Sequence, residues 1–197
     1  MMKSAGPSEA RQRIIQTALR LFYLQGYLAT GINQVIAEAS VSKNTFYYYF
    51  PSKEDLCVAY LVERHKVWMA WLQEWLDKYE APYERLMSVF GFLESWLKAS
   101  DFRGCAFLNI ASEVPDINNR IRKEVIAHKD ELRTLLRELL EDSKRRDRKF
   151  AEINPKFLTE ILYVIVEGII GSCQIYGDTS LIAAARQNFD RLLRGAP

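Results

Sequence analysis

Apolar residues recur along this chain at intervals of three and four, and no useful stretch alternates with a period of two, so the pattern predicts helices throughout. A first helix is predicted over 8–25, with Ile14, Ala18, Leu21 and Phe22 as its inner stripe and Gly26 as its end. The small, polar stretch 1–6 before it is expected to be loose. Ile32, Val35, Ile36 and Ala39 then make one face of a short helix, and the Thr30 hydroxyl is placed to cap it. Ala39-Ser40-Val41 is a tight connection. Ser42 caps a second short helix, Lys43 to about Tyr49, which Pro51 stops because the residue before a proline avoids helical angles. Ser52 caps the next helix, with Glu54 and Asp55 at its positive end.

That next helix meets no breaker before about Tyr79, and at 1.5 Å per residue it spans roughly 40 Å. Its stripe is Tyr60, Val67, Trp68, Trp71, Leu72, Trp75, Leu76 and Tyr79. A helix over 82–99 is apolar nearly all round, which suits a central position. A short helix follows over 105–114, then a long one over 118–144, a charged loop from Ser143 to Pro155, and a helix from Pro155 to about Tyr176 capped by Asn154. Gly177-Asp178-Thr179 turns the chain into a last helix ending near Leu193. The class is all-α with about nine helices, divided into an N-terminal three-helix domain, 1–52, and a helical body, 53–197.

The second short helix has unusual chemistry. Phe46 and Phe50, four residues apart, are its only purely apolar positions and anchor it. Lys43, Asn44, Thr45, Tyr47, Tyr48 and Tyr49 project outward, a set of hydroxyls, amide and ammonium suited to phosphates and base edges. Two short helices joined by such a turn have the shape of a helix-turn-helix, whose second helix enters the major groove.

Residues 41–56, Val-Ser-Lys-Asn-Thr-Phe-Tyr-Tyr-Tyr-Phe-Pro-Ser-Lys-Glu-Asp-Leu, resemble the signature of the TetR/AcrR family of bacterial transcriptional regulators. The resemblance extends upstream through Gly26-Tyr27-Leu28-Ala29-Thr30 and Ile36-Ala37-Glu38-Ala39, and covers about the first 60 residues. Ser40 departs from it, standing where the family usually has glycine; a left-handed angle there costs a serine roughly 1 kcal/mol. The resemblance implies a DNA-reading set in which Lys43, Asn44, Thr45 and Tyr48 face base edges, while Tyr47, Tyr49, Thr30 and Lys53 hold phosphates beside the capping Ser42. It also implies a ligand-responsive regulator, most simply a repressor, that binds a palindromic operator on double-stranded DNA as a homodimer.

Charge agrees with this division. Residues 1–53 hold six Lys or Arg and two acids, a surplus of four positive charges, so a total of +2 leaves the remainder at −2. Cys57, Cys105 and Cys173 fit neither a disulfide framework nor a zinc site. Cys105, close to Arg103 and at a helix start, is either a small buried side chain or an oxidant-sensing thiol. No signal peptide is visible, and 161–176 is too short to span a bilayer, so a cytoplasmic protein away from membranes is expected. With two histidines and no hydrolase elbow, phosphate loop, dinucleotide fingerprint or zinc motif, neither enzyme activity nor a cofactor or metal is expected.

The body is rich in aromatic residues. Trp68, Phe92, Trp96 and Phe107 with His65, Asn109, Glu113 and His128 make a candidate pocket for a small, mostly apolar effector, because the family binds effectors among helices 4 to 7. The eighth helix has too much apolar surface for one face, with Gly168, Gly171 and Ser172 allowing close approach. Helices 8 and 9, about 154–194, are therefore the expected dimer interface. Two other readings remain open: a helical small-molecule-binding protein or enzyme with a vestigial helix-turn-helix, and a ligand-independent architectural DNA binder.

Overall fold

The computed structural model describes residues 7–195; the expectation for 1–6 lies outside the described residues. Among the described residues there are nine α-helices, one 3-10 turn and no strand. They are α1 (Pro7–Gln25), α2 (Ile32–Glu38), α3 (Lys43–Tyr49), α4 (Lys53–Leu76), α5 (Pro82–Ala99), α6 (Ala106–Glu113), α7 (Arg120–Arg146), α8 (Pro155–Tyr176) and α9 (Ser180–Leu193).

Local chemistry sets most of the boundaries. Gly26 leaves α1 at φ +95°. Ser42 accepts the Thr45 N–H at 3.0 Å and starts α3. Ser52 accepts the Asp55 N–H at 3.0 Å while its own hydroxyl donates to Asp55 Oδ2 at 2.7 Å, a reciprocal cap on α4. Asn154 caps α8 through the Phe157 N–H, and Gly177 ends it in the left-handed region at φ +69°. Ser40 does adopt the left-handed angle, φ +52°, between α2 and α3.

Several expectations are corrected. Gly31, not Thr30, is the N-cap of α2; the Thr30 hydroxyl instead donates to the Gly26 carbonyl at 2.7 Å. α4 ends at Leu76 rather than Tyr79, because the Lys78 and Tyr79 N–H groups turn back to Trp75 and Leu76 carbonyls in a tightened last turn. Trp71 is 46% exposed and leaves the buried stripe to Tyr60, Trp68, Leu72 and Leu76. α6 starts one residue after Cys105. α7 begins at Arg120, since Asn119 accepts the Ile121 N–H, and runs on to Arg146. The charged loop is correspondingly shorter. Asp147 caps a single 3-10 turn, Arg148–Phe150, and Phe150 is buried with its ring stacked 5.3 Å from that of Tyr83. α8 has 22 residues and is long and apolar enough to cross a membrane by length and composition, because its first turns add to the apolar run.

The chain divides into two units. The first holds the described residues through Val67 together with Ala106–Ala127; the second holds Trp68–Cys105 and the described residues from His128 on. In the first, α1, α2 and α3 pack on one another around Ile14, Leu21, Val35, Phe46 and Leu56. In the second, α5, α8 and α9 pack together, and Phe90 and Phe189 meet at 6.0 Å between ring centroids. The buried Lys129 and half-buried Glu167 pair there, with Nζ–Oε distances of 2.6 and 2.9 Å.

Candidate functional site

The anchoring of α3 follows its sequence. Phe46 is fully buried and Phe50 nearly so, their ring centroids 6.1 Å apart. Arg11 lies over the outer face of Phe50, 5.6 Å from the centroid. The helix therefore shows Ser42, Lys43, Asn44, Tyr47 and Tyr48 to solvent, with Tyr48 79% exposed and set edge-on to Tyr49. Thr45 and Tyr49 are half-buried, and the Thr45 hydroxyl lies 2.8 Å from that of Ser42. Seven of the nine residues expected at a DNA surface thus lie on one short helix and its cap.

The other two have different surroundings. Thr30 is 0% exposed with its hydroxyl in use, so its side chain presents nothing to a phosphate. Lys53 is half-buried; its Nζ donates to the Leu28 carbonyl at 3.2 Å and sits 4.6 Å from the centroid of Tyr27. Burial draws the Lys53 pKa down, and burial with the neighbouring Cys57, Glu54 and Glu113 pushes Tyr27 up to about 12. Arg13 donates through Nε to the Ala39 carbonyl at 3.1 Å and so holds the end of α2.

The eight residues grouped as a candidate pocket divide between the two units. His65, Phe107, Asn109 and Glu113 belong to the first, and Trp68, Phe92, Trp96 and His128 to the second. Within the second, Trp68 is set edge-on to Phe92, Trp96 and His128 at centroid distances of 5.3, 5.5 and 5.3 Å. The indole N–H groups of Trp68 and Trp96 are buried and have no hydrogen-bond partner, the one polar want in this aromatic cluster. Beside it lies a groove of about 310 Å³ lined by Trp71, Trp75, Phe92 and Trp96 with Glu74 and Lys78. Helical spacing placed Trp75 on the buried stripe only, which is why it was missed as a groove residue. Within the first unit, Glu113 accepts the N–H groups of Tyr27 and Leu28 at 3.1 and 2.6 Å. Its partners are 86 and 85 residues away, so no local pattern signals the contact. Cys105 is buried, and its Sγ accepts from Lys129 Nζ at 3.6 Å. Among the described residues no group of His, Cys, Asp and Glu could hold a metal ion.

Comparison with known proteins bears on both regions. Residues 14–60 match the family of bacterial regulatory proteins, tetR family, and residues 82–189 match the tetracyclin repressor-like C-terminal domain. An HTH-type transcriptional regulator of Lactococcus lactis is 27% identical over 192 residues, covering 92% of this chain and 90% of that protein. The transcriptional regulator AcuR of Cereibacter sphaeroides is 28% identical over 166 residues, covering 83% of this chain and 75% of its own length. A TetR-family transcriptional regulator from Streptomyces coelicolor superposes with a TM-score of 0.82 at 28% identity, covering 96% of both chains. A head that displays α3 and a body carrying the family's ligand-binding C-terminal domain make this chain a DNA-binding transcriptional regulator belonging to the TetR family.

Proposed function

We propose that this protein is a cytoplasmic homodimeric repressor that holds a palindromic operator through α3 and leaves it when a small, mostly apolar effector binds the body. The observation that carries the DNA half is the outward display of Lys43, Asn44 and Tyr48 on a helix fixed from behind by two buried phenylalanines. Ser42, Thr45, Tyr47, Tyr49 and Lys53 complete the proposed contact set, and the buried Thr30 is left out. Bidentate Asn–adenine and Lys–guanine contacts are the pairings open to these side chains. The effector half rests on the unpartnered indoles of Trp68 and Trp96: a ligand bearing an acceptor satisfies buried donors that an ordinary core would have paired.

The dimer is assigned to α8 and α9. Phe157, Val164 and Ile175 are 58, 68 and 78% exposed, and with Ile161, Gly168 and Gly171 they recur at alternating steps of four and three, the seam of a helix pair. A Cβ added at Gly168 or Gly171 meets nothing within 4 Å, so both leave room for a second backbone. Leu181, Ala185, Asn188 and Leu192 repeat the same spacing on α9. Such a pair of seams makes a four-helix bundle between two chains.

One selection experiment tests the reading. Duplexes bound from a random pool at physiological salt are expected to yield a palindrome whose half-sites lie about 34–36 Å apart. The same selection with Val164→Asp, which places a charge on the seam, is expected to yield half-sites without fixed spacing. Binding that only fades with rising salt and enriches nothing would reject the operator assignment.

A further inference from the structure

The loop between α1 and α2 is held by charged side chains rather than by secondary structure. Glu113, the last residue of α6, places one carboxylate oxygen on the Tyr27 N–H and the other on the Leu28 N–H, at 3.1 and 2.6 Å. Gly26 lies under that carboxylate at φ +95°, an angle that favours glycine, and a Cβ there would sit a tight 3.0 Å from Glu113 Oε1. Lys53 takes the carbonyl of the same segment at Leu28 and covers the Tyr27 ring. A second tie, Arg120 to Asp55 at 2.9 Å, joins the first turn of α7 to the first turn of α4. All of these residues lie in the first unit. Yet Glu113 and Arg120 fall within the stretch that matches the C-terminal domain, whereas Tyr27, Leu28 and Asp55 fall within the stretch that matches the DNA-binding family.

We propose that Glu113 is a positioning residue that couples α6 to the reading helices, by gripping or releasing the Gly26–Leu28 backbone. The inference rests on the DNA-binding reading given above. The gripped segment leads through the buried Thr30 to Gly31, the cap of α2, so its position sets where α2 and then α3 begin. Hydrogen bonds weaken steeply once the heavy atoms pass about 3.5 Å, so an axial shift of α6 by roughly 1 Å is enough to open the grip. Coupling of this kind is reciprocal: DNA that fixes α2 and α3 must in turn steady α6.

Hydrogen exchange on the full chain, free and bound to the selected duplex, tests this. In the wild type, duplex is expected to slow exchange in 106–113 as well as in 26–31. Glu113→Gln keeps the shape but removes the charge. At saturating duplex it is expected to lose the duplex-induced slowing in 106–113, and when free to exchange the Tyr27 and Leu28 amides roughly tenfold faster. Glu113→Asp keeps the charge but shortens the reach, and is expected to lose the same slowing. Slowing retained in both variants, or absent in a wild type that binds duplex, overturns the proposal. A wild type that selects no duplex defeats the operator reading itself. In that case free-state exchange at Tyr27 and Leu28 unchanged by either substitution also removes the grip.

Discussion

Around α2 and α3, charged and polar side chains hold backbone, whereas around α5, α8 and α9 apolar side chains hold one another. Arg13 takes the Ala39 carbonyl, Thr30 that of Gly26, Lys53 that of Leu28, and Glu113 two consecutive amides. Both units have apolar cores, and that of the second buries Phe90, Leu162, Val166, Ile170 and Phe189, each at most 1% exposed. Its prominent polar element, the Lys129–Glu167 pair, is enclosed rather than structural to a loop. Burial is non-directional and scales with area, while a hydrogen bond depends on angle and fails within an ångström. A small head that must set one helix at one angle gains from the second kind of fastening. A bundle that must persist through ligand exchange gains from the first.

The strongest test of this contrast is Phe189→Ala. Truncating a fully packed aromatic of the bundle should lower unfolding free energy by about 3–5 kcal/mol, read from denaturant melts. A loss below about 1 kcal/mol would mean that α9 is not part of a packed core. Next comes Lys129→Met, which strands the Glu167 carboxylate and should cost about 3 kcal/mol, most of it recovered when Glu167→Leu is added. Burial alone draws the Lys129 ammonium down, but the adjacent Cys105 and Glu167 outweigh that and hold its pKa above the ordinary lysine value. The stabilisation is therefore complete below about pH 10.4 and lost as pH climbs through the folded value. The head responds at the other end of the scale. The Ser52 hydroxyl and Arg120 hold the Asp55 carboxyl below its usual range, so its contribution is present above about pH 3.9 and lost as pH falls through the folded value. Melts across both limits should show Asp55→Asn blunting the acid loss and the Lys129→Met/Glu167→Leu double variant blunting the alkaline one.

Asn44→Ala should cost about 1–3 kcal/mol of operator affinity and relax preference at one base, with melting unchanged. Arg13→Ala removes a tie to the end of α2. It should weaken the head by about 1 kcal/mol, seen as faster exchange across 32–50, with 155–193 unaffected. Equal acceleration in both stretches would erase the distinction between the two regions. The smallest effect is expected from Ser40→Gly, which relieves the left-handed angle at φ +52° and should gain about 0.5–1 kcal/mol in thermal melts.

What was legible in the sequence was local. Ser42, Ser52 and Asn154 cap the helices they precede, Gly26 and Gly177 end theirs, and Phe46 with Phe50 anchors α3, because each effect acts within four residues. Thr30 misled because α2 starts one residue later than the spacing suggests, with Gly31 as its N-cap, while the Thr30 hydroxyl is buried and donates to the Gly26 carbonyl. Trp71 misled because a tryptophan at helical spacing looks the same whether it faces core or groove. Glu113 falls in the candidate pocket set because the family binds effectors among helices 4 to 7. Its actual partners are backbone amides of a distant loop, which carry no sequence signature at all.

The four tryptophans, Trp68, Trp71, Trp75 and Trp96, all lie in the second unit, and the head has none. Indole emission from the intact protein therefore originates in the body alone, from rings that range from buried Trp68 to half-open Trp71. A compound library can be titrated against that light without label or operator. A compound entering the tryptophan groove shifts or quenches it, while an event confined to the tyrosine-rich α3 passes unseen. The chain thus carries its own optical separation of ligand recognition from DNA recognition.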